Sequence, residues 1–304
     1  MSKIGLFIMA YGTPSSPEAI EPYYTRIRHG RAPSPEQLAD LTRRYEAIGG
    51  ISPLKERTDA QVTGITAALD ALAPGRFDVR FGSKYEAPMI EEVAASFVAD
   101  GVTEIVGLAL APHSSSMSTS QYHSRAREAL GDGVTYHAIE SWWEAPGFLD
   151  LIAARVLEAR DHLPAELRED ALVLFSAHSL PQRILEIGDT YPDQLAESAR
   201  RAAAIGGLTH TGLAWQSAGR TPEPWLGPDI LDVLRQLAAD GVKAVISCPV
   251  GFISDHLEVL FDVDIEAQAV AKDLGITLVR TRSLNDDVTL CSILATTVLG
   301  TVEA

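Results

Sequence analysis

Leu172-Val173-Leu174-Phe175-Ser176-Ala177-His178-Ser179-Leu180-Pro181 is the stretch that decides how this chain folds. Its apolar run, Leu172–Ser176, shows no strict polar alternation, as expected of a parallel strand covered on both faces. An earlier stretch is built alike: Ile8-Met9-Ala10-Tyr11-Gly12-Thr13-Pro14 resembles Phe175-Ser176-Ala177-His178-Ser179-Leu180-Pro181. Outward from these two, further short runs read as strands: Ile4–Ala10, Phe77–Phe81, Ile105–Ala109, Val134–Ile139, Gly212–Trp215, Ala244–Cys248 and Thr277–Val279. Helix-like stretches lie between them, among them Ala60–Leu72, Ala87–Asp100, Gln194–Ile205 and Asp229–Asp240. Asp100-Gly101 and Asp240-Gly241 are helix stops that precede a new strand. The alternation predicts an α/β fold with parallel sheets.

A second echo strengthens the internal repeat, because Ala109-Leu110-Ala111-Pro112-His113 resembles Ile246-Ser247-Cys248-Pro249-Val250. Two similar doubly wound halves are expected, residues 1–150 and 151–284. The apolar, proline-free tail Val288–Val298 reads as part of a last helix, about 285–304, packing back on the first half. Ligands of such sheets bind outside the carboxyl ends of the strands. Facing halves would place Tyr11, His113, His178 and Pro249 around one cleft.

Composition narrows the chemistry. A chain of 304 residues, 46% hydrophobic, has enough material for a substantial core. A net charge of -16 disfavours non-specific nucleic-acid binding and polybasic attraction to membranes. The apolar run Ile4–Ala10 is too short for a signal sequence, and nothing approaches the length of a membrane span, so a cytoplasmic protein is expected. Two cysteines, Cys248 and Cys291, allow neither a disulfide framework nor a four-thiolate metal site. Phosphate-binding glycine loops and a Gly-x-Ser-x-Gly elbow are missing from the sequence.

Three features could carry chemistry. His178, at a strand exit, could ligate a transition metal or accept a proton, or its ring could simply serve the turn. Glu258, Asp262 and Glu266 recur every four residues and would form one carboxylate row on a helix. Such like-charge neighbours cost roughly 0.2–0.5 kcal/mol per pair, and no Lys or Arg lies between Phe252 and Ala271 to offset them. Oxygen ligands in a row suit a divalent cation that must move on, whereas thiolates would hold it. The third feature is basic: Arg26, Arg28 and Arg31, followed by Arg43 and Arg44, could dock a polycarboxylate through guanidinium forks or could be solvated surface charge.

Five motifs in order resemble one family: Met9-Ala10-Tyr11-Gly12-Thr13-Pro14, Tyr45-Glu46-Ala47-Ile48-Gly49-Gly50-Ile51-Ser52-Pro53-Leu54, Ser176-Ala177-His178-Ser179-Leu180-Pro181, Trp225-Leu226-Gly227-Pro228-Asp229 and Asp255-His256-Leu257-Glu258-Val259-Leu260. They are similar to the ferrochelatases, and in particular to the short soluble coproporphyrin ferrochelatases of Gram-positive bacteria. The resemblance covers nearly the whole chain. It implies two Rossmann-like domains with parallel sheets facing a shared porphyrin cleft, and a lyase of haem biosynthesis that inserts ferrous iron into coproporphyrin III. It further implies that His178 and Glu258 bind the incoming iron and take pyrrole protons, with Asp262 and Glu266 on the outer metal path. Tyr11 would face the macrocycle from the opposite side, and Arg28, Arg44, Ser52 and Tyr122 would contact propionates. Tyr85 stands where a histidine is expected, so no metal role carries over to that point.

Iron and porphyrin would be substrates, with no permanent cofactor. The iron–sulfur cluster of some actinobacterial relatives is not expected here, because two cysteines cannot supply four ligands. A monomer without membrane insertion is expected, with a transient contact to the downstream coproheme decarboxylase. A protoporphyrin IX ferrochelatase and a cobalt chelatase remain enzymatic alternatives of the same fold, and a non-catalytic haem-binding protein is an alternative of another class.

Overall fold

The computed structural model describes residues 3–303. Two four-stranded parallel sheets organise it. The first comprises β1 (Ile4–Ala10), β2 (Phe77–Ser83), β3 (Glu104–Ala109) and β4 (Thr135–Ile139) in the order β2-β1-β3-β4. The second comprises β5 (Leu172–His178), β6 (Thr211–Gln216), β7 (Ala244–Cys248) and β8 (Thr277–Arg280) in the order β6-β5-β7-β8. The same order in both halves is the topological counterpart of the sequence echo. β1 and β5 hold equivalent inner positions, so their apolar runs are buried on both sides and their exits emerge side by side with other strand ends.

Helices connect and cover the sheets: α1 (Ile20–Ile27), α2 (Pro35–Ala47), α3 (Leu54–Leu72), α4 (Ile90–Ala99), α5 (Thr119–Leu130), α6 (Phe148–Asp161), α7 (Arg183–Glu186), α8 (Tyr191–Gly206), α9 (Ile230–Ala239), α10 (Gln268–Asp273) and α11 (Val288–Glu303). Strands run past their apolar stretches where the ladder continues through small or polar residues. β5 includes Ala177 and His178 because His178 still pairs with Gln216 of β6. Helix α2 has almost no apolar stripe, burying only Tyr45; it is started instead by a Ser34–Gln37 capping box and a proline in its first turn. Helix α11 lies against α3, where a side chain on Gly64 would come within 2.6 Å of Cys291 Sγ.

The core is continuous across the molecule. One cluster joins Leu6, Ile8 and Leu108 of the first sheet to Val173, Phe175 and Ile246 of the second through Trp142, Phe148 and Ile152. Separate clusters fill the outer face of each sheet. Among the described residues, no helix is long and apolar enough to cross a membrane.

The segment carrying the acidic row departs from expectation. Val259–Ala267 is a π-helix, with wider turns closed by i→i+5 hydrogen bonds, before the chain resumes as α10. Residues four apart still share a face there, but they stand on a broader turn than in an α-helix.

Candidate active site

β5 delivers His178 to its carboxyl end, and the next residues are clamped. Ser179 donates its backbone N–H to Gln216 O at 2.7 Å and its hydroxyl to Leu226 O at 2.7 Å. The Trp225-Leu226-Gly227-Pro228 segment therefore acts as a brace for this exit. Tyr191 of α8 donates its hydroxyl to the His178 carbonyl at 3.1 Å. His178 Nδ1 bonds the Ser179 carbonyl, which can only accept, so Nδ1 carries the proton and Nε2 is the nitrogen left for chemistry.

Nε2 stands 3.4 Å from Glu258 Oε1. On its other side Glu258 Oε2 lies 3.5 Å from His256 Nε2, so the carboxylate sits between two imidazoles. Phe252 packs against both rings, at 4.6 Å from His256 and 6.4 Å from His178 between centroids. The His178 and Glu258 side chains keep 31% and 36% of their surface, which makes them the floor of an open space rather than a sealed ion pair.

Burial pushes His178 towards its neutral form, but the Glu258 charge, their contact, the Ser179 carbonyl and Asp262 together raise it to about 9. Burial likewise opposes the Glu258 charge, and His178 and then His256 overcome it, holding this carboxyl well below the usual range. At neutral pH the resting pair is therefore imidazolium and carboxylate. An arriving cation would have to displace the Nε2 proton, after which the pair holds two proton acceptors.

The row behind Glu258 is present and is less uncompensated than the local sequence suggested. Asp262 is 6% exposed. Its Oδ2 accepts a hydrogen bond from Ser217, and its Oδ1 faces Arg44 of α2 at 3.6 Å. That Oδ1 is buried and, among the described residues, has this long ion pair but no hydrogen bond. Burial and the Glu258 charge raise Asp262 to about 7, against the pull of Ser217 and Arg44. Glu266 also adds to this rise, placing it within electrostatic range of Asp262. A second arginine, Arg280, holds Asp264 and Asp255 beside the row. Among the described residues no group of three or more His, Cys, Asp or Glu is gathered closely enough to hold a metal ion. Among the described residues, His178, Glu258, Asp262 and Glu266 thus do not form a chelating cage.

Across the space, Tyr11 ends the exit of β1 and is 41% exposed. Burial of its hydroxyl environment raises its pKa well above the ordinary value, and Glu258 is among the charges adding to that rise. Tyr85 meets Tyr11 edge to face at 4.8 Å, so the position where a histidine was expected carries an aromatic wall. Lys84 lies behind both rings, and Tyr122 is buried 5.5 Å from its ammonium.

The expected propionate contacts fall in different settings. Arg28 stacks on Tyr24 and, among the described residues, has no acidic partner. Arg44 lies between Asp40 at 3.2 Å and Asp262, over the Phe261 ring. Ser52 is buried, and its Oγ accepts the Leu54 N–H at the start of α3. Of the four strand-exit residues expected around a cleft, only Tyr11 and His178 face open space. His113 and Pro249 are buried. His113 is bonded to Ser198 of α8 at 2.9 Å, because the β3 exit is covered by that helix.

Sequence reading passed over three participants. Ser217 follows β6 with a φ of 61°, a left-handed conformation unusual for serine, and so aims its hydroxyl at Asp262. His256 lay inside a quoted motif without a role. Asp40 ties α2 to the second half through Arg220 at 3.0 Å. Only His256 had a local signal, its two-residue spacing from Glu258.

Comparison with known proteins gives a consistent outcome. The family model described as Ferrochelatase matches residues 3–301. The chain is 46% identical over 302 residues to a ferrochelatase of Herpetosiphon aurantiacus, covering 98% of this chain and 99% of that one. It is 45% identical over 302 residues to the coproporphyrin III ferrochelatase of Bacillus subtilis, covering 98% and 97%. The fold is similar to that of SirB from Bacillus subtilis, solved with ferric iron, at a TM-score of 0.57 and 10% identity over 99% and 96% of the two chains.

Proposed function

The chain belongs to the ferrochelatase family, and on that footing we propose that it inserts ferrous iron into coproporphyrin III to give coproheme. The observation that carries this reading is the His178–Glu258 contact at the inner end of the Glu258–Asp262–Glu266 row, opposite Tyr11. Relatives 43–45% identical to this chain bear the name coproporphyrin III ferrochelatase, which supports the choice of porphyrin. Iron and porphyrin are substrates here. Residues 1–150 and 151–284 act as the two domains, with the last helix on the first.

The porphyrin lies between Tyr11 on one side and His178 and Glu258 on the other. Iron passes Glu266 and Asp262, whose Oδ1 accepts no hydrogen bond among the described residues and offers an oxygen ligand, and reaches Glu258. It takes the place of the His178 Nε2 proton, which is released to water, and exchanges its own water for pyrrole nitrogens. The two pyrrole protons leave to the carboxylate and imidazole so freed. Stations that bind weakly in succession let the ion go forward, where a closed cage would keep it. The same reading makes the protein a cytoplasmic monomer that passes coproheme to its decarboxylase by transient contact.

The test is absorbance-monitored iron insertion into coproporphyrin III and protoporphyrin IX side by side. Coproporphyrin III should be the faster substrate. His178→Ala should abolish insertion while metal-free porphyrin still binds; near-normal turnover by that variant would sink the assignment.

A further inference from the structure

Lys84 is 5% exposed, yet among the described residues no carboxylate lies within ion-pair distance of its ammonium. Its Nζ is held by the neutral Gln121 Oε1 at 2.5 Å and faces the rings of Tyr85, Tyr11 and Tyr122 at 5.0, 6.0 and 5.5 Å. A buried cation without a counter-charge is costly unless something arrives to pair with it. Beside it is an open cavity of about 460 Å³, lined by Lys84, Tyr85, Arg26, His29, Gln121 and Arg125 among others. The other two strong cations of this wall are already matched. Arg26 pairs with Glu86, and Arg125 pairs with Glu91 at 2.5 Å while holding the Lys84 carbonyl at 2.8 Å. Lys84 is thus fixed in place by Gln121 and Arg125, and its charge is in excess.

Tyr85 is the wall shared by this cavity and the Tyr11 face. A macrocycle lying over Tyr11 would therefore carry a peripheral side chain over the tyrosine edge and towards Lys84. A porphyrin with four carboxylates needs more cations than one with two, and at the basic edge Arg44 is already engaged with Asp40 and Asp262. We infer that the cavity beside Lys84 is a carboxylate subsite, taking one of the two carboxylates that distinguish a tetracarboxylate from a dicarboxylate porphyrin, with Lys84 as its anchor. This inference rests on the proposed choice of porphyrin.

The experiment compares wild type, Lys84→Met and Lys84→Arg. Metal-free coproporphyrin III and protoporphyrin IX are titrated by fluorescence quenching, and KM and kcat are measured for iron insertion into each. Removing the charge should weaken coproporphyrin III binding by about tenfold more than protoporphyrin IX binding, the loss of one charge-assisted hydrogen bond. The change should fall on KM rather than kcat, and Lys84→Arg should recover most of it. Inorganic phosphate should compete with coproporphyrin III on the wild type and lose that effect in Lys84→Met. Equal losses for both porphyrins, or none, would overturn the subsite. So would phosphate binding that depends on Lys84 while coproporphyrin affinity does not, since the cavity would then serve a free anion. Because the titrations use metal-free porphyrin, a failure of iron insertion in the wild type would count against the proposed reaction and leave this comparison readable.

Discussion

His178 Nε2 stands 3.4 Å from Glu258 Oε1, and the opposite nitrogen of the same ring is committed to the Ser179 carbonyl. The geometry leaves one nitrogen and one carboxylate to share a proton or a metal, and it makes each residue's charge depend on the other.

Glu258→Gln should lower the His178 pKa well below about 9, because burial is then opposed only by the Ser179 carbonyl and Asp262. Imidazole resonances followed by NMR against pH would read this directly, and a variant ring still titrating near 9 would remove the pair. The sign for stability follows. The raised histidine stabilises the fold fully below its unfolded pKa of about 6.5 and loses that contribution as pH rises through about 9. The depressed glutamate contributes above its ordinary range and loses its share in acid. Wild-type Tm should therefore fall more between pH 7 and pH 10 than that of Glu258→Gln.

Asp262 should show the opposite sign. Its folded pKa, about 7, lies above the unfolded value, so the charged form is disfavoured by folding and stability drops as pH rises towards 7. Asp262→Asn should raise Tm at pH 8 by on the order of 2 °C and change it little near pH 4. It should also raise the iron KM, since the anionic carboxylate is replaced by a neutral amide. A lower Tm at pH 8 would show that the Ser217 and Arg44 contacts outweigh burial.

Gly251 is a packing point for the active-site exit. A Cβ there would meet Ala177 Cβ at 2.4 Å and Ala177 Cα at 2.9 Å, next to His178. Ala177 belongs to a central strand with little room to yield, so Gly251→Ala should cost about 1–3 kcal/mol. Urea unfolding would measure the loss, and an unchanged midpoint would mean that β5 can move.

Asp189 couples the two halves. Its carboxylate accepts from Ser116 N at 2.8 Å, Ser116 Oγ at 2.6 Å and Ser115 Oγ at 3.0 Å in the first half, and from Tyr191 N at 2.9 Å in the second. Tyr191 in turn holds the His178 carbonyl. Asp189→Ala should destabilise the protein by about 2–4 kcal/mol at pH 7, seen in urea unfolding. Burial opposes this carboxyl's charge, but bonds from Ser116 and Tyr191 depress its pKa, so the difference should shrink in acid.

Much of this arrangement was legible in the chain. The apolar runs ending in Ala10-Tyr11 and Ala177-His178 specified buried parallel strands, since a strand covered on both faces has no need of polar alternation. Their similarity anticipated two sheets of the same strand order. The four-residue spacing of Glu258, Asp262 and Glu266 anticipated a row on one helix face, although the turn proved wider than α. Helix α2 was invisible to periodicity because its start depends on a capping box and only Tyr45 is buried.

What the sequence by itself determined, then, was the repeat of βα units, the strand exits and the acid row, because these follow from periods of a few residues. Tertiary structure alone decided which charges meet. Arg44 reaches Asp262 and Asp40 reaches Arg220 from opposite halves, Ser217 turns its hydroxyl towards Asp262 through a left-handed backbone, and Lys84 is buried with no acid beside it among the described residues. Such contacts depend on how two independently wound sheets pack, and electrostatic influence follows distance in space rather than along the chain.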